Sequence, residues 1–366
     1  MRYLRELVDG QRPVEKRENS FLLKSEESGT PTDFGSAGGA LGAHGKAQAA
    51  GVRAGCRVNL LALGDVGGTV LLGLRLLGAD VIGSIGIYDL NEKLLSRYER
   101  EINQIAFPDG RTLPQVKILE EEQLFDCEMF IFCASKGVPQ VGKTGEAEDV
   151  RMVQLKANSR LVRHYASMAA EHSFKGIFAV VSDPVDLLCK AALSEGLSEL
   201  QVQGYGLGVM NGRARYFAER HQEFAGYLKE GRAFGPHGED LVIANSIENY
   251  DDELSRRLTE LTVRSNLDTR EDGFKPYIAP AISSGAISLT ETLRGNWNYS
   301  SVYFGKGNSG AFLGCRNRRL QGSGEGDVEA AFAADNTVIE VENLPLPESL
   351  YERIKNAYDN LKEIRG

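Results

Sequence analysis

Residues 58–90 read VNLLALGDVGGTVLLGLRLLGADVIGSIGIYDL. VNLLAL is a short apolar run that leads into glycine, the pattern of a strand buried on both faces. GGTVLLGLRLLGA follows with apolar residues at helical spacing, and IGSIGIYDL is a second apolar strand. Strand, helix and strand in this order form a β-α-β unit with parallel strands. The turn between the first strand and the helix is Ala62-Leu63-Gly64-Asp65-Val66-Gly67-Gly68. Glycine at positions 64 and 67 lets the backbone approach a pyrophosphate and lets the helix pack on the strand. Ala62 stands where the first glycine of such a fingerprint is expected, so the tight turn must tolerate a methyl group. An acid on the next strand holds ribose hydroxyls in folds of this kind, and Asp89 stands 22 residues after Gly67. Its charge repels a 2′-phosphate, which favours NAD over NADP.

The pattern continues outward from this unit. NEKLLSRYEREINQI is an amphipathic helix, and DCEMFIFCAS and KGIFAVVSDP are two more buried strands. Between them lies a long helical stretch, DVRMVQLKANSRLVRHYASMAAEH. Strand and helix alternate as far as Leu188, which predicts an α/β fold with a Rossmann-type doubly wound parallel sheet. No internal repeat is present. Residues 1–56 differ: ESGTPTDFGSAGGALGAHGKAQAAG is rich in Gly, Ala and Ser without a period and reads as an arm or linker. Before it, MRYLRELV has the spacing of a short amphipathic helix.

Composition bounds the function. The 366 residues are 42% apolar and 25% charged, ordinary for a globular protein. The net charge of −9 argues against nucleic acid as the main partner, because phosphate binding needs a basic footprint. The five cysteines, Cys56, Cys127, Cys133, Cys189 and Cys315, are widely spaced, with no metal-ligand spacing and no disulfide framework. They fit a reducing cytoplasm. The N-terminus has no apolar run of the secretory kind, and no stretch approaches the ~18 apolar residues of a membrane span. The expectation is a cytoplasmic protein with no membrane partner and no metal.

From residue 57 to the C-terminus, some 310 residues, the chain resembles the L-lactate/malate dehydrogenase family. LGDVGG with IYD looks like the family's cofactor strand pair, and VSDPVDLL like its Ser-Asn-Pro-Val-Asp segment. GYGLGVMNGRARY looks like its Gly-x-Gly-x-x-Leu-Asp-x-x-Arg segment, and GPHGED like its histidine loop. The last helix, PLPESLYERIKNAYDNLKEI, is also similar to the family's. The resemblance implies three parts: an arm at 1–56, an NAD-binding Rossmann domain at 57–203, and an α+β substrate domain at 204–366.

The resemblance also implies roles. His237, held in a tight turn, matches the family's catalytic histidine, an acid/base group whose type titrates near neutrality. Arg213 matches the arginine that clamps the substrate carboxylate with two prongs. Arg151 stands seven residues before Asn158, as the family's carbonyl-polarising arginine does before a like asparagine. The loop leading to it is longer than usual. Gln140 takes the place that is arginine in malate enzymes, and a neutral side chain there gives a second carboxylate no partner. Ile278 stands where lactate enzymes carry threonine. Both point away from malate. The cofactor set is Gly64, Asp65, Val66, Gly67, Asp89, Ala134, Asn158 and Ser182.

Two further positions depart from the family. Met210 replaces the aspartate that holds the histidine, and Asp183 replaces the Asn of Ser-Asn-Pro. Asp183 is therefore expected to supply the missing negative charge from another side. The reading is an NAD-dependent oxidoreductase acting on a small 2-hydroxy or 2-oxo acid, more lactate-like than malate-like, with an altered histidine relay. A homodimer or homotetramer is implied. The alternative is a non-catalytic NAD-binding or assembly protein that keeps the fold. A third reading has Asp183 holding an amino group of an unrelated substrate.

Overall fold

The computed structural model describes residues 1–8, 14–17, 19–24, 55–136, 150–321, 332–333 and 336–364. Three short strands come first: β1 (Arg2–Tyr3), β2 (Val14–Arg17) and β3 (Ser20–Leu23). The apolar runs of the opening motif then become β4 (Cys56–Leu61) and β5 (Ile82–Tyr88), parallel neighbours joined by α1 (Asp65–Leu77). After them come α2 (Glu92–Asn103), β6 (Gln115–Ile118), β7 (Met129–Phe132), α3 (Val150–Glu171), β8 (Ile177–Val180), α4 (Val185–Leu193) and β9 (Val202–Gly204). These strands lie in the order β6-β5-β4-β7-β8-β9, all parallel. The chain winds outward from β4 in both directions, which is the doubly wound Rossmann topology. MFIF in β7 and IFAV in β8 are buried at every residue, because helices cover both faces of the sheet.

The second half supplies α5 (Leu207–Ala218), α6 (Tyr227–Glu230), β10 (Arg232–Phe234), β11 (Val242–Ala244) and α7 (Asp252–Glu271). A helical segment with π-type turns, Pro280–Ile287, runs into α8 (Ser288–Arg294). Then follow β12 (Asn298–Phe304), β13 (Ala311–Gln321), β14 (Thr337–Glu342), β15 (Pro345–Leu346) and α9 (Glu348–Glu363). β12 pairs antiparallel with β9 through Ser301 and Gly204, so the parallel sheet continues into β13, β14, β3 and β2. Among the described residues the result is one sheet of eleven strands. The division expected at 203/204 falls inside β9 and marks a change of strand direction within one sheet. β10 and β11 form a separate hairpin under the histidine turn.

The N-terminal segment is only partly an arm. Leu4, Leu7, Val8, Phe21 and Leu23 are buried in the main core, and β3 is hydrogen-bonded along β14. The stretch read as an amphipathic helix is a single 3-10 turn, Leu4–Leu7, following β1. Two leucines suffice to anchor it, and β1 pairs with β15 instead of extending the turn. The Gly/Ala-rich stretch read as an arm, residues 25–54, lies outside the described residues. Among the described residues no helix is long and apolar enough to cross a membrane.

Ala62 takes up the left-handed conformation, with φ +74°. A Cβ in that region crowds the following carbonyl at a cost of ~1–2 kcal/mol. Gly67 packs against the same turn: a Cβ there would lie 1.9 Å from the Ala62 carbonyl oxygen. The nucleotide turn is therefore tight, and its alanine is strained. Ala62→Gly should relieve that strain, offset by about 0.4–1 kcal/mol of extra chain entropy in the unfolded state. A net gain of about 0.5–1 kcal/mol is expected as a higher urea midpoint. An unchanged or lower midpoint removes the strain argument.

Candidate active site

The crevice lies at the C-terminal ends of β4 and β7, where the strand order changes direction. Gly64 caps α1 in an extended conformation, and a Cβ added to it would meet nothing within 4 Å. The backbone of Gly64 thus borders open space. The first-turn N–H groups of α1, on Asp65, Val66 and Gly67, have no acceptor within the helix and carry its positive end. A pyrophosphate fits such a cradle. Asp65 itself pairs with Lys275, with Oδ2 2.9 Å from Nζ. Asp89 directly follows β5 and accepts from the Leu63 N–H at 2.7 Å and the Asn91 N–H at 2.9 Å. These bonds fix the carboxylate beside the turn, and its remaining lone pairs suit ribose hydroxyls. The residues present fit a nicotinamide dinucleotide.

Ala134, Asn158 and Ser182 were singled out by sequence as cofactor contacts. In the structure they tie the loops after β7 and β8 together. Ser182 Oγ donates to the Ala134 carbonyl at 2.8 Å. Buried Asn158 donates from Nδ2 to the Asp183 carbonyl at 2.8 Å and accepts at Oδ1 from the Lys136 N–H at 3.0 Å. The Asn158 amide is thus committed to holding the backbone of Asp183.

His237 sits in the connection between β10 and β11. The turn uses positive φ at Gly235, Gly238 and Asp240, and the Gly235 N–H donates to the Gly314 carbonyl at 2.9 Å. The turn presses the histidine onto the start of α5: a Cβ on Gly206 would come within 3.0 Å of the His237 Cβ. His237 Nδ1 lies 2.9 Å from Asp183 Oδ1, with 17% of the histidine side chain and 50% of the aspartate side chain exposed. A proton on Nδ1 donates to that carboxylate and leaves Nε2 for chemistry. The peptide bond between Asp183 and Pro184 is cis.

The α5 residues take other partners. Buried Met210 turns its Sδ toward Arg213, whose Nη1 lies 3.7 Å away. The Asn211 side chain accepts from the Tyr227 hydroxyl at 2.9 Å, so it faces the α6 side. Burial holds the Arg213 guanidinium below its ordinary value, while the charge of Asp183 opposes that shift. A guanidinium stays charged under such a perturbation. His237, Asp183 and Arg213 are therefore brought together, with the guanidinium inside the field of the aspartate.

Asp186 belongs to the same site and was missed by the sequence reading. It is 5% exposed, in the first turn of α4, and its Oδ1 accepts from the Ser301 hydroxyl at 2.5 Å. Burial pushes its carboxyl up to about 6, opposed by the Ser301 hydroxyl and by the charge and amide of His237. The signal was present: Asp186 is the last residue of the VSDPVD segment. A cavity of about 60 Å³ lies beside it, lined by Pro184, Asp186, Pro236, His237, Asp240 and Leu361 among others. Of the other expected residues, Gln140 lies outside the described residues, and Arg151 is the second residue of α3. Ile278 is 64% exposed, just before the π-type segment.

No family model matches the chain. It is 29% identical over 210 residues to an L-lactate dehydrogenase of Corynebacterium glutamicum, covering 56% of this chain and 62% of that protein. It is 27% identical over 186 residues to the L-lactate dehydrogenase of Corynebacterium jeikeium, covering 50% of this chain and 54% of that protein. The chain thus spans little more than half the length of these curated relatives. Among solved structures it is similar to the minor L-lactate dehydrogenase of Enterococcus mundtii, with a TM-score of 0.65 and 18% identity, over 84% of this chain and 97% of that one. The malate dehydrogenase of Picrophilus torridus gives 0.64 and 18%, over 84% and 95%. At such identities the structures show the shared fold.

The raised Asp186 carboxyl makes a stability prediction. Its folded value, about 6, lies above the ordinary 3.8. Stability from the protonated form is complete below about pH 4 and is lost as pH rises through about 6. Asp186→Asn keeps an acceptor for Ser301 without an ion to bury. It should be more stable than the parent by about 1–3 kcal/mol near neutral pH and little changed near about pH 4. Thermal melts of both proteins across this range check it, and an equal difference at all pH values contradicts it.

Proposed function

We propose that this divergent member of the lactate/malate dehydrogenase family is an NAD-dependent oxidoreductase for a small 2-hydroxy or 2-oxo acid. The observation that carries the reading is the Asp183 carboxylate at 2.9 Å from His237 Nδ1, in reach of the charge of Arg213. The names of the curated relatives and the cradle at Gly64 support it.

A bound nicotinamide supplies or accepts the hydride. The chain's own residues do the rest. His237 exchanges a proton with the substrate oxygen through Nε2, while Asp183 holds Nδ1–H and balances the imidazolium. Arg213 grips the substrate carboxylate with two parallel N–H groups. Arg151, from the start of α3, polarises the carbonyl. Gln140 and Ile278 shape the side-chain pocket, which favours a pyruvate-like acid over oxaloacetate. Gly64, Asp65, Val66 and Gly67 cradle the pyrophosphate, and Asp89 selects NADH over NADPH. A homodimer or homotetramer in the cytoplasm completes the reading. Met210 at the relay position favours a second reading, a non-catalytic NAD-binding or assembly protein. That protein binds NADH but turns over no 2-oxo acid.

Two measurements test the first reading. NADH oxidation across a panel of 2-oxo acids should be fastest with pyruvate-like or bulkier apolar acids. Faster turnover of oxaloacetate overturns the assignment of Gln140, and no turnover with NADH bound favours the second reading. Asp183→Asn replaces the charged acceptor at Nδ1 with a neutral one, at about 1.5–3 kcal/mol, so turnover should fall by roughly one to two decades. Adding Met210→Asp to that variant should restore much of the loss. A rise in the single variant instead means that Asp183 repels the substrate carboxylate.

A further inference from the structure

We infer that Asp186 is a positioning residue for His237: its buried carboxylate, braced by Ser301, holds the histidine turn and sets a second negative charge beside the imidazole. The inference rests on the reading of His237 as the acid/base group. Geometry carries it. One short segment carries two carboxylates to the histidine's surroundings: Asp183, before Pro184, bonds the ring, and Asp186, after it, shares a cavity with His237. Asp183 takes Nδ1 directly. Asp186, fixed by the Ser301 hydroxyl, lines the same small cavity as His237 from the interior, and the charge and amide of His237 draw its carboxyl down against burial.

The two carboxylates do different work. Asp183 is half exposed, so solvent screens its charge, and its contribution is chiefly the directed bond to Nδ1. Asp186 is buried, and a charge in that surrounding acts with little screening. Other groups face it. Glu239 and Asp240 line the same small cavity from the histidine turn, with Asn360, Leu361 and Ile364 of the C-terminal segment opposite. Ser301 comes from β12, and Cys189 of α4 has a thiol pushed well up by burial and by Asp186. Asn360 Nδ2 donates to Asp240 Oδ2 at 3.1 Å, which holds the far side of the turn. Asparagine at 186 would keep an acceptor for Ser301 without an ion to bury. A carboxylate there works against the fold and is accounted for by a need for charge at the histidine.

The test uses the full chain and three variants: Asp186→Asn, Ser301→Ala and His237→Gln. The last assigns the His237 ring signals in ¹⁵N spectra. In Asp186→Asn the ring signals should move from their wild-type positions, and kcat for pyruvate reduction should fall about tenfold. KM for pyruvate and the NADH Kd should stay within about threefold, since Asp186 is buried and its side chain is held by Ser301. Ser301→Ala should move the same signals by a smaller amount, and it keeps the question open to test if Asp186→Asn does not fold. Unchanged ring signals in folded Asp186→Asn, or in both variants, overturn the inference. If the wild type turns over no 2-oxo acid, the hydride-transfer reading fails, while the ring signals still decide whether Asp186 acts on His237.

Discussion

The antiparallel seam between β9 and β12 is the constraint on which the site depends. It is a narrow joint, with Ser301 registered against Gly204. Glycine is required on one side: a Cβ at 204 would lie 2.7 Å from Val185 Cγ1, 2.9 Å from Cys189 Sγ and 3.1 Å from Ser301 Cβ. With no side chain there, α4 can lie flat on the end of the parallel sheet while β12 closes from the other side. That closure puts Ser301 against Asp186. It also joins a nucleotide-type sheet to the antiparallel strands that support the histidine turn.

Buried polar groups fix the register of the seam. Gln203 donates from Nε2 to Ser300 Oγ at 2.9 Å, and Asn317 donates from Nδ2 to the Ser300 carbonyl at 2.9 Å. A slip by one residue would turn these amides into the apolar layers and leave them unpaired, at about 1–3 kcal/mol each. Arg319, fully buried on β13, donates to the Leu200 carbonyl and to Thr337 Oγ1. Burial lowers its guanidinium to about 10, so the charge persists at neutral pH and ties β13 to the loop before β9. Apolar packing alone would tolerate several registers; this polar layer narrows the choice.

Two carboxylates around His237 come from one short segment. On α5, buried Met210 turns its sulfur to Arg213 and offers the histidine no charge. The two carboxylates near the histidine lie in the loop after β8 and the first turn of α4, within the VSDPVD segment. That segment is held on both flanks, by Asn158 on the Asp183 carbonyl and by Ser301 on Asp186. A histidine supported in this way rests on the parallel sheet more than on α5.

The β-α-β start, the glycine turn, the succession of buried strands and the tight histidine turn were all legible in the sequence. Each depends on residues close together in the chain, where apolar period and glycine placement act directly on the backbone. The strain at Ala62 was legible as a departure, though its sign as a positive φ was not. The sequence did not reveal that residues 20–23 would extend the sheet beside β14, because an apolar run of three, Phe21-Leu22-Leu23, says nothing about its partner. Nor did it place Asp186, 115 residues from Ser301, or decide that Asp183 would meet a ring 54 residues away. Those contacts are set by the strand order and the seam at Gly204. Side-chain chemistry offered the carboxylates, and only the tertiary structure decided which of them reaches the histidine, because that distance depends on how separate elements pack.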